Sequence, residues 1–303
     1  MRYLYLLVAV MCLVAANSVS AAGPSVTLTP KADAVDVTID GKPFTVFNTS
    51  SELPKPFFSP VRGADGTVMT RPIAKPGDDH PHHKGIWLAV DKVNGVDFWA
   101  ERGRIENRSV KLHVADGNPA VMQVVNDWLG KDGQPVVTEN TTVRIFANRL
   151  IGYDVTYQPC GESVTFGDTK EGLFGFRMID SMREREGGNV VNADGDQGSA
   201  KCWGKPSDWV DYHGPIEGKT YGVAIFDHPL NFRPSRYHVR NYGLFSISPF
   251  GERAYTNGAK PASPYVILPG DELRLRYAMY IHAGDTEAAD VDGAYRAYLK
   301  SAE

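Results

Sequence analysis

Apolar and polar residues alternate along most of the chain, and this period of two predicts β-strands. The alternation begins between residues 25 and 46, where the dipeptide Asp40-Gly41 separates two runs and indicates a hairpin. Further strand-like runs cover 110–114, 121–129, 134–146, 151–157, 173–178, 221–226, 242–247 and 272–281. Helical spacing is convincing only over 288–299, so we predict one short C-terminal helix.

Many strands without interleaved helices favour an all-β fold, a large antiparallel β-sandwich, over a parallel sheet with crossover helices. The segment 54–77 is rich in proline and glycine, so we predict an ordered crossing loop there. The chain has no internal repeat, low-complexity tract or obvious linker. We therefore expect a single β-sandwich domain over 23–303.

The amino-terminal segment has the three regions of a secretory signal peptide. Arg2 is followed by an apolar run over 4–16 and by the small residues Val19-Ser20-Ala21, so cleavage is expected after residue 21 or 22. The apolar run is shorter than the ~20 residues that a membrane-spanning helix needs, and no later segment approaches that length. The sequence therefore predicts a signal peptide over 1–22, a secreted or periplasmic protein, and no permanent membrane span.

The charge balance gives no sign of a nucleic-acid partner. The chain has 32 basic and 36 acidic residues, and loss of Arg2 with the signal changes the net charge from −4 to −5 (31 − 36). Only Cys160 and Cys202 remain after the signal peptide. They either form a disulfide, which would close a loop contributing roughly 3–4 kcal/mol, or stay as two separate thiols; spacing alone leaves both open.

The densest group of candidate catalytic residues is the segment from Asp78 to Trp87, with three histidines and two aspartates in six residues. Such groups are costly to bury without partners, which favours a functional loop over a core segment. In an extended backbone His80 and His82 project to one side and His83 to the other. That geometry suits a metal pair or a general acid beside a substrate-binding imidazole. A surface turn is the alternative.

Two later segments add carboxylates. Asp97 lies beside Trp99, and the segment Phe166-Gly-Asp168-Thr-Lys170-Glu171-Gly172 places two carboxylates around a lysine between strand-like runs. One carboxylate acting as general base opposite a histidine acid is chemically reasonable, because acid and base work best when their pKa values are pushed apart. An exposed turn with a Lys–Glu pair is the alternative interpretation.

Segments rich in aromatic and short polar side chains follow in the second half of the chain. They contain Trp209, Asp211, Tyr212, His238, Arg240 and Tyr242. Aromatic faces stack on the C–H faces of sugars, and charged or amide groups bind the hydroxyls. Taken singly, each aromatic residue is more often a core residue. Together with the histidine segment, they point to a sugar or oligosaccharide ligand.

Several motifs resemble the DUF6807 family. They are Asp79-His-Pro-His-His-Lys-Gly-Ile-Trp87, Val93-Asn-Gly-Val-Asp-Phe-Trp99, Phe166-Gly-Asp-Thr-Lys-Glu-Gly172, Trp209-Val-Asp-Tyr212 and His238-Val-Arg-Asn-Tyr-Gly-Leu-Phe245. The resemblance runs from about residue 56 to 284. Members often carry the label "methane oxygenase PmoA", which implies a protein with several membrane spans and does not suit this sequence. The histidine loop is also distantly similar to aldose epimerases of the galactose-mutarotase type, which implies a β-supersandwich and a histidine acid with a glutamate base.

Our leading hypothesis is a secreted carbohydrate-active enzyme, a hydrolase, lyase or epimerase, that needs no cofactor. His82 or His83 is the candidate acid, and Glu171 or Asp168 the candidate base. The candidate substrate-binding residues are Asp79, His80, Trp87, Asp97, Lys170, Arg177, Trp209, Asp211, Tyr212, His238, Arg240 and Tyr242. The alternatives are a carbohydrate-binding protein without turnover and an enzyme whose divalent metal is held by His80, His82 and a distant His238 or His282.

Overall fold

The structure, a computed structural model, describes residues 23–75 and 77–301. The predicted signal peptide lies outside these residues, and both it and the single domain over 23–303 stay predictions. No helix of the described part of the chain is long and apolar enough to cross a membrane.

The described residues form nineteen strands, in agreement with the predicted all-β class. In chain order the first ten are β1 (Val26–Pro30), β2 (Ala34–Ile39), β3 (Lys42–Asn48), β4 (Phe57–Val61), β5 (Ile86–Leu88), β6 (Arg104–Val114), β7 (Asp116–Gly117), β8 (Ala120–Leu129), β9 (Pro135–Ile145) and β10 (Leu150–Pro159). The others are β11 (Val164–Phe166), β12 (Phe174–Arg177), β13 (Asn189–Asn192), β14 (Trp209–Ile216), β15 (Lys219–Asp227), β16 (Arg236–Val239), β17 (Leu244–Ser248), β18 (Tyr265–Ile267) and β19 (Leu273–Ala283).

The strands form two large sheets and one small one, and neighbouring strands pair antiparallel. The first sheet has the order β16-β17-β12-β5-β4-β3-β2-β1-β7, and the second has the order β13-β14-β15-β19-β10-β9-β8-β6. Strands β11 and β18 form the two-stranded sheet. The predicted antiparallel sandwich is therefore confirmed, while the finer comparison with a supersandwich stays a prediction.

Helices are short and few among the described residues. They are α1 (Ser199–Cys202), α2 (Glu252–Tyr255), α3 (Val291–Ser301) and the 3₁₀ turns Asp180–Met182 and Glu184–Glu186. Helix α3 confirms the predicted C-terminal helix. Its Tyr295 and Tyr298 pack against Phe226 of β15, with ring centroids 5.6 and 6.0 Å from that of Phe226. The amphipathic spacing seen in the sequence therefore buries one face of α3 on the second sheet.

The hydrophobic core lies between the inner faces of the two large sheets. Phe174 of β12 packs against Tyr153 of β10 and Tyr277 of β19, with ring centroids 4.5 and 6.1 Å apart. Because side chains alternate along a strand, the neighbours of Phe174 and Phe176 on β12 point outward. The outer face of the first sheet is thereby left to residues such as Gly175 and Arg177.

Strand prediction failed mainly for short segments. The segment 54–77, expected to be a crossing loop, contains β4, which pairs with β3 and β5. Strands β5, β13 and β16 have only three or four residues each. A run that short shows no readable period, and its backbone is paired by neighbours that are distant in sequence.

Candidate functional site

A row of cross-strand neighbours on the outer face of the first sheet forms the floor of the candidate site. Trp87 of β5 pairs with Gly175 of β12, Gly175 with Ser246 of β17, and Ser246 with His238 of β16. The Trp87 indole lies across Gly175, since a Cβ there would be 2.7 Å from Trp87 Cζ2. Only glycine leaves room for this ring. The pairing of the four short strands β5, β12, β17 and β16 brings Trp87 and His238 to one surface.

The three histidines at residues 80, 82 and 83, here called the histidine cluster, lie together above this floor. His80 has a positive φ of 47°, and the His83 backbone N–H donates to the His80 carbonyl at 3.1 Å. The ring centroids of His80 and His82 are 5.7 Å apart, those of His80 and His83 4.9 Å, and those of His82 and His83 4.4 Å. The expectation that His83 points away is therefore wrong, because the segment is a tight turn and not extended.

His83 is buried at the base of the cluster, with a fractional exposure of 2%. Its ring stacks on Trp87 at 5.5 Å and meets Trp99 edge-on at 5.6 Å. Burial, followed by the charges of His82 and Arg177, lowers the pKa of His83 far below its usual range. Arg177 Nη1 lies 3.4 Å from His83 Nδ1 and can only donate, so the His83 proton resides on Nε2. No described residue accepts a hydrogen bond from this Nε2.

His82 is half-buried and more accessible than His83. Burial, followed by the positive charge of Lys55, lowers the pKa of His82 to about 4. The imidazole is therefore neutral at pH 7 and able to accept a proton. In this state the ring has one N–H and one free lone pair, so the predicted role of His82 as the acid stays a prediction and the role of base is equally open to it.

Two lysines and a glutamate fix the backbone of the histidine turn. Lys55 Nζ donates to the His82 carbonyl at 2.8 Å and to Glu101 Oε1 at 2.7 Å. Lys84 Nζ donates to the Pro81 carbonyl at 3.0 Å and to Glu101 Oε2 at 2.7 Å. Burial lowers the pKa of Lys55 to about 8, against the opposing effect of Glu101. Sequence reasoning missed Lys55, which lies 27 residues before His82 and in no motif.

Arg177 is fully buried beneath the histidine cluster. Its guanidinium carbon lies 5.1 Å from the ring centroid of Tyr242, and that ring stacks on His80 at 5.2 Å. Arg177 Nη2 is 3.6 Å from Asp79 Oδ2. The Nε and Nη2 atoms have no hydrogen-bond partner among the described residues. The predicted binding residues Asp79, His80, Arg177 and Tyr242 are thus brought together.

A second group, here called the Glu171 cluster, consists of Lys170, Glu171, His238 and Arg240. His238 Nδ1 donates to the Lys170 carbonyl and Arg240 Nε donates to His238 Nε2, both at 2.9 Å. Burial, followed by the charges of Arg240 and Lys170, lowers the pKa of His238 to about 3. Glu171 pairs with Lys170, and its Oε2 lies 3.8 Å from His238 Nδ1. Glu171 is the partly exposed carboxylate of this group.

Tyr242 connects the histidine cluster with the Glu171 cluster. Burial raises the pKa of its hydroxyl, the charges of Arg240 and Arg177 oppose this effect, and those of Glu171 and Asp79 add to it. Charges from both clusters therefore act on one phenol, which keeps its proton at neutral pH. Tyr242 lies on the loop that joins β16 to β17, two residues after Arg240 of the Glu171 cluster, and its ring stacks on His80 of the histidine cluster.

Two other predicted carboxylates hold backbone turns. The Asp168 carboxylate accepts three backbone N–H groups, each at 3.0 Å, from Arg253, Ala254 and Ser263. Asp97 Oδ1 accepts the Ala100 N–H at 2.9 Å. The Asp168 carboxylate is therefore engaged by backbone groups at the start of α2 and at Ser263, and its role as a base stays a prediction.

Trp209 and Asp211 lie on the other sheet, on its outer face. Trp209 Nε1 donates to Asp292 in α3 at 3.3 Å, and Asp211 accepts from His282 Nε2 at 2.9 Å. Tyr212, the residue after Asp211, faces inward, and its hydroxyl donates to the Arg240 carbonyl at 3.2 Å. The expectation that Trp209 and Asp211 share a pocket with the histidines is corrected, because both point to the outer face of the second sheet, while the next residue of β14, Tyr212, points inward.

The metal hypothesis and the cysteine pair were also left open by the sequence. Within the described ranges no group of three or more His, Cys, Asp or Glu residues is arranged to hold a metal ion. Both nitrogens of His238 have protein partners, and His282 Nε2 donates to Asp211.

Cys160 is exposed and Cys202 buried, and both are free thiols. Of the two alternatives for the cysteines, the structure therefore has separate thiols.

Comparisons with solved structures give distant matches, each covering 86% of this chain. A galactose 1-epimerase from Lactobacillus acidophilus NCFM matches over 98% of its own chain, with 9% identity and a TM-score of 0.43. A beta-arabinopyranosidase matches over 38% of its chain, with 12% identity and a TM-score of 0.37. A GH36 alpha-galactosidase from Geobacillus stearothermophilus matches over 40% of its chain, with 8% identity and a TM-score of 0.39. At TM-scores this low, we draw no conclusion about activity from them.

Comparison at the level of sequence families is more specific. No curated protein sequence matches the chain. The model of one family, described as a family of unknown function, matches residues 34–296, which includes every residue of the histidine cluster and the Glu171 cluster. The chain therefore belongs to the family DUF6807.

Proposed function

We propose that this protein is an exported carbohydrate-active enzyme that transfers protons by means of the histidine cluster, Tyr242 and Glu171. One observation carries the proposal: polar atoms that are buried side by side and have no partner among the described residues. They are His83 Nε2, Trp87 Nε1 and Arg177 Nε and Nη2. A buried donor without a partner costs ~1–3 kcal/mol, and more when it is charged. Such a concentration is best explained by a polar ligand that supplies the missing acceptors.

The protonation states suggest a role for each group. His82 is neutral and half-exposed, so we assign it as the general base. Tyr242 keeps its proton and lies between the two clusters, so we assign it as the proton donor. Glu171, whose charge also acts on Tyr242, is assigned as a second proton acceptor. His83 Nε2–H and Arg177 are placed to bind and polarise sugar oxygens.

This set of groups favours an epimerase or lyase over a hydrolase. Most glycoside hydrolases use two carboxyl groups that flank the bond to be cleaved. Here three backbone N–H groups engage the Asp168 carboxylate, which leaves Glu171 as the freer of the two carboxylates in this segment. An imidazole and a phenol are suited to removing and returning a proton on a sugar carbon or hydroxyl.

A carbohydrate-binding protein without turnover receives less support. Binding by stacking needs an open aromatic face. Trp87 and Trp99 are only 1% and 2% exposed and are covered by the histidine cluster. Titratable groups with shifted pKa values at the same place are more typical of an active site than of a binding surface.

The experiment is a screen of the mature protein against reducing sugars and oligosaccharides, with turnover followed by proton NMR. On the sugar that reacts, His82→Gln is expected to lower kcat by roughly 10²–10⁴-fold, the usual contribution of a positioned base. His113→Gln is the matched control, because His113 is exposed and lies on β6, outside the site. A His82→Gln protein with the kcat of the wild type would refute the assignment. Sugar binding without turnover by the wild type would support the binding protein instead.

A further inference from the structure

Three arginines converge next to the histidine cluster. Burial, followed by the charges of Arg71 and Arg183, lowers the pKa of Arg177 to about 10. Arg71 Nη1 and Nη2 donate to the backbone carbonyls of Asp79 and His80 at 2.8 Å. Arg183 pairs with Asp180. Positive charge is therefore concentrated here although the whole chain has a net charge of −4.

Arg177 is the most deeply buried of the three arginines. The side chain is 1% exposed, and its guanidinium stays protonated at any physiological pH. Asp79 Oδ2, at 3.6 Å from Nη2, is too far for a hydrogen bond. Nε and Nη2, two donors on the same edge of the guanidinium, have no hydrogen-bond partner among residues 23–75 and 77–301. This edge is the fork that a carboxylate matches with two parallel hydrogen bonds.

Asp79 faces this fork from the solvent side. Its side chain is 67% exposed, it lies at the tip of the histidine turn, and it also pairs with His80. An open cleft of about 460 Å³ is lined by Arg71, Asp79 and Arg183 among others. The carboxylate closest to Arg177 therefore belongs to an exposed side chain, and a ligand that enters from solvent meets it first.

We propose that Arg177 binds the carboxylate of an acidic sugar, a uronate, which enters through this cleft and replaces the Asp79 carboxylate. The inference rests on the proposed function and names its substrate class. A uronate carboxylate supplies two acceptors for Nε and Nη2 and compensates the buried charge. His83, which contacts Arg177, then lies beside the bound sugar, and its ring centroid is 4.4 Å from that of His82.

The test compares two sugars that differ only in the group at carbon 6, D-galacturonate and D-galactose, by isothermal titration calorimetry and NMR competition. D-glucuronate and D-glucose form a second matched pair. We expect the wild type to bind the better uronate roughly 10- to 100-fold more tightly than its neutral counterpart, the fold-change that corresponds to one charge-assisted hydrogen bond. Arg177→Gln is expected to abolish this preference.

Asp79→Asn provides a test that does not depend on a buried substitution. Removal of the competing carboxylate is expected to increase the affinity for the uronate several-fold and to leave that for the neutral sugar unchanged. Asp180→Asn is the matched control, because it removes an equal charge from the same cleft without altering a contact of Arg177. An equal increase in both variants would mean that only net charge matters, which would overturn the role of Asp79.

The outcomes separate this inference from the proposed function. If a neutral sugar is turned over with His82 dependence and no uronate is preferred, the inference fails and the proposed function stands. If a sulfated galactose binds more tightly than galacturonate, the anionic group is a sulfate ester and the carboxylate assignment is wrong. If neither pair binds and no sugar reacts, both are refuted. His82→Gln is expected to keep uronate binding and to lose turnover.

Discussion

Substitution of Gly175 by alanine tests the packing of Trp87, on which His83 rests. Gly175 has no side chain, and the Trp87 indole occupies the space beside its Cα. A Cβ at this position would lie 2.7, 2.9 and 3.0 Å from Trp87 Cζ2, Cε2 and Cη2. Carbon atoms pack best at about 3.5–4.0 Å, so the indole must move by at least about 0.8 Å. The movement is resisted because Trp87 is itself packed between Gly175, Trp99 and His83.

The magnitude follows from two opposing effects. Overpacking of a well-packed site costs ~1–3 kcal/mol. Loss of backbone freedom in the unfolded chain gives back ~0.4–1 kcal/mol for a Gly→Ala change. We therefore expect Gly175→Ala to lower the free energy of unfolding by about 1–2 kcal/mol, and to reduce turnover because the support of His83 is displaced.

Urea denaturation followed by circular dichroism measures the free energy of unfolding by linear extrapolation. Gly152→Ala is the matched control, since Gly152 is also a buried strand glycine but a Cβ there would be 3.9 Å from the nearest atom. In a Trp87→Phe background, Gly175→Ala is expected to cost less, because the benzo ring is gone. If Gly175→Ala and Gly152→Ala differ by less than about 0.5 kcal/mol, within the range of an inconsequential substitution, the packing argument is wrong.

Three further predictions concern export, pH and thiols. Secreted material is expected to begin at residue 22 or 23 by mass spectrometry, and an intact residue 1 would reject the signal peptide. Burial lowers the pKa of His238 to about 3 in the folded state, whereas the unfolded chain binds a proton at His238 near pH 6.5. The free energy of unfolding should therefore fall as the pH drops from 6.5 toward 3, and it should fall less steeply in His238→Gln. Equal slopes in the two proteins would contradict this. Thiol titration of the native protein should modify Cys160 rapidly and Cys202 only on unfolding, because burial raises the pKa of Cys202 to about 11.

The sequence indicated which residue types form the site better than it indicated how the fold brings them into contact. The histidine segment and Glu171 stood out because polar and titratable groups were dense over a few residues. Arg177 drew attention as a candidate binding residue, but nothing in the sequence indicated that two of its donors are buried without partners. Lys55 carried no signal at all, because its contact with the His82 carbonyl joins segments that only the fold brings together.

The roles of the residues depended on burial and hydrogen bonding. The sequence left the role of acid open between His82 and His83. Desolvation and Lys55 lower the pKa of His82 to about 4, which keeps its ring neutral at pH 7 and is the reason for proposing it as the base. Asp168 and Glu171 are three residues apart and looked equivalent. Backbone N–H groups near α2 engage Asp168, whereas Glu171 remains partly exposed.

By itself the sequence determined the class of fold, because a period of two over long runs is a local property of strands such as β9 and β10, and a period of 3.6 is one of α3. Only the tertiary structure decided which strands became neighbours and which face each side chain took. The pairing of β5, β12, β17 and β16 put Trp87 and His238 on one surface, while alternation along β14 turned Asp211 away. Contacts between distant segments also set the pKa values, since burial and neighbouring charges exist only after the chain has folded.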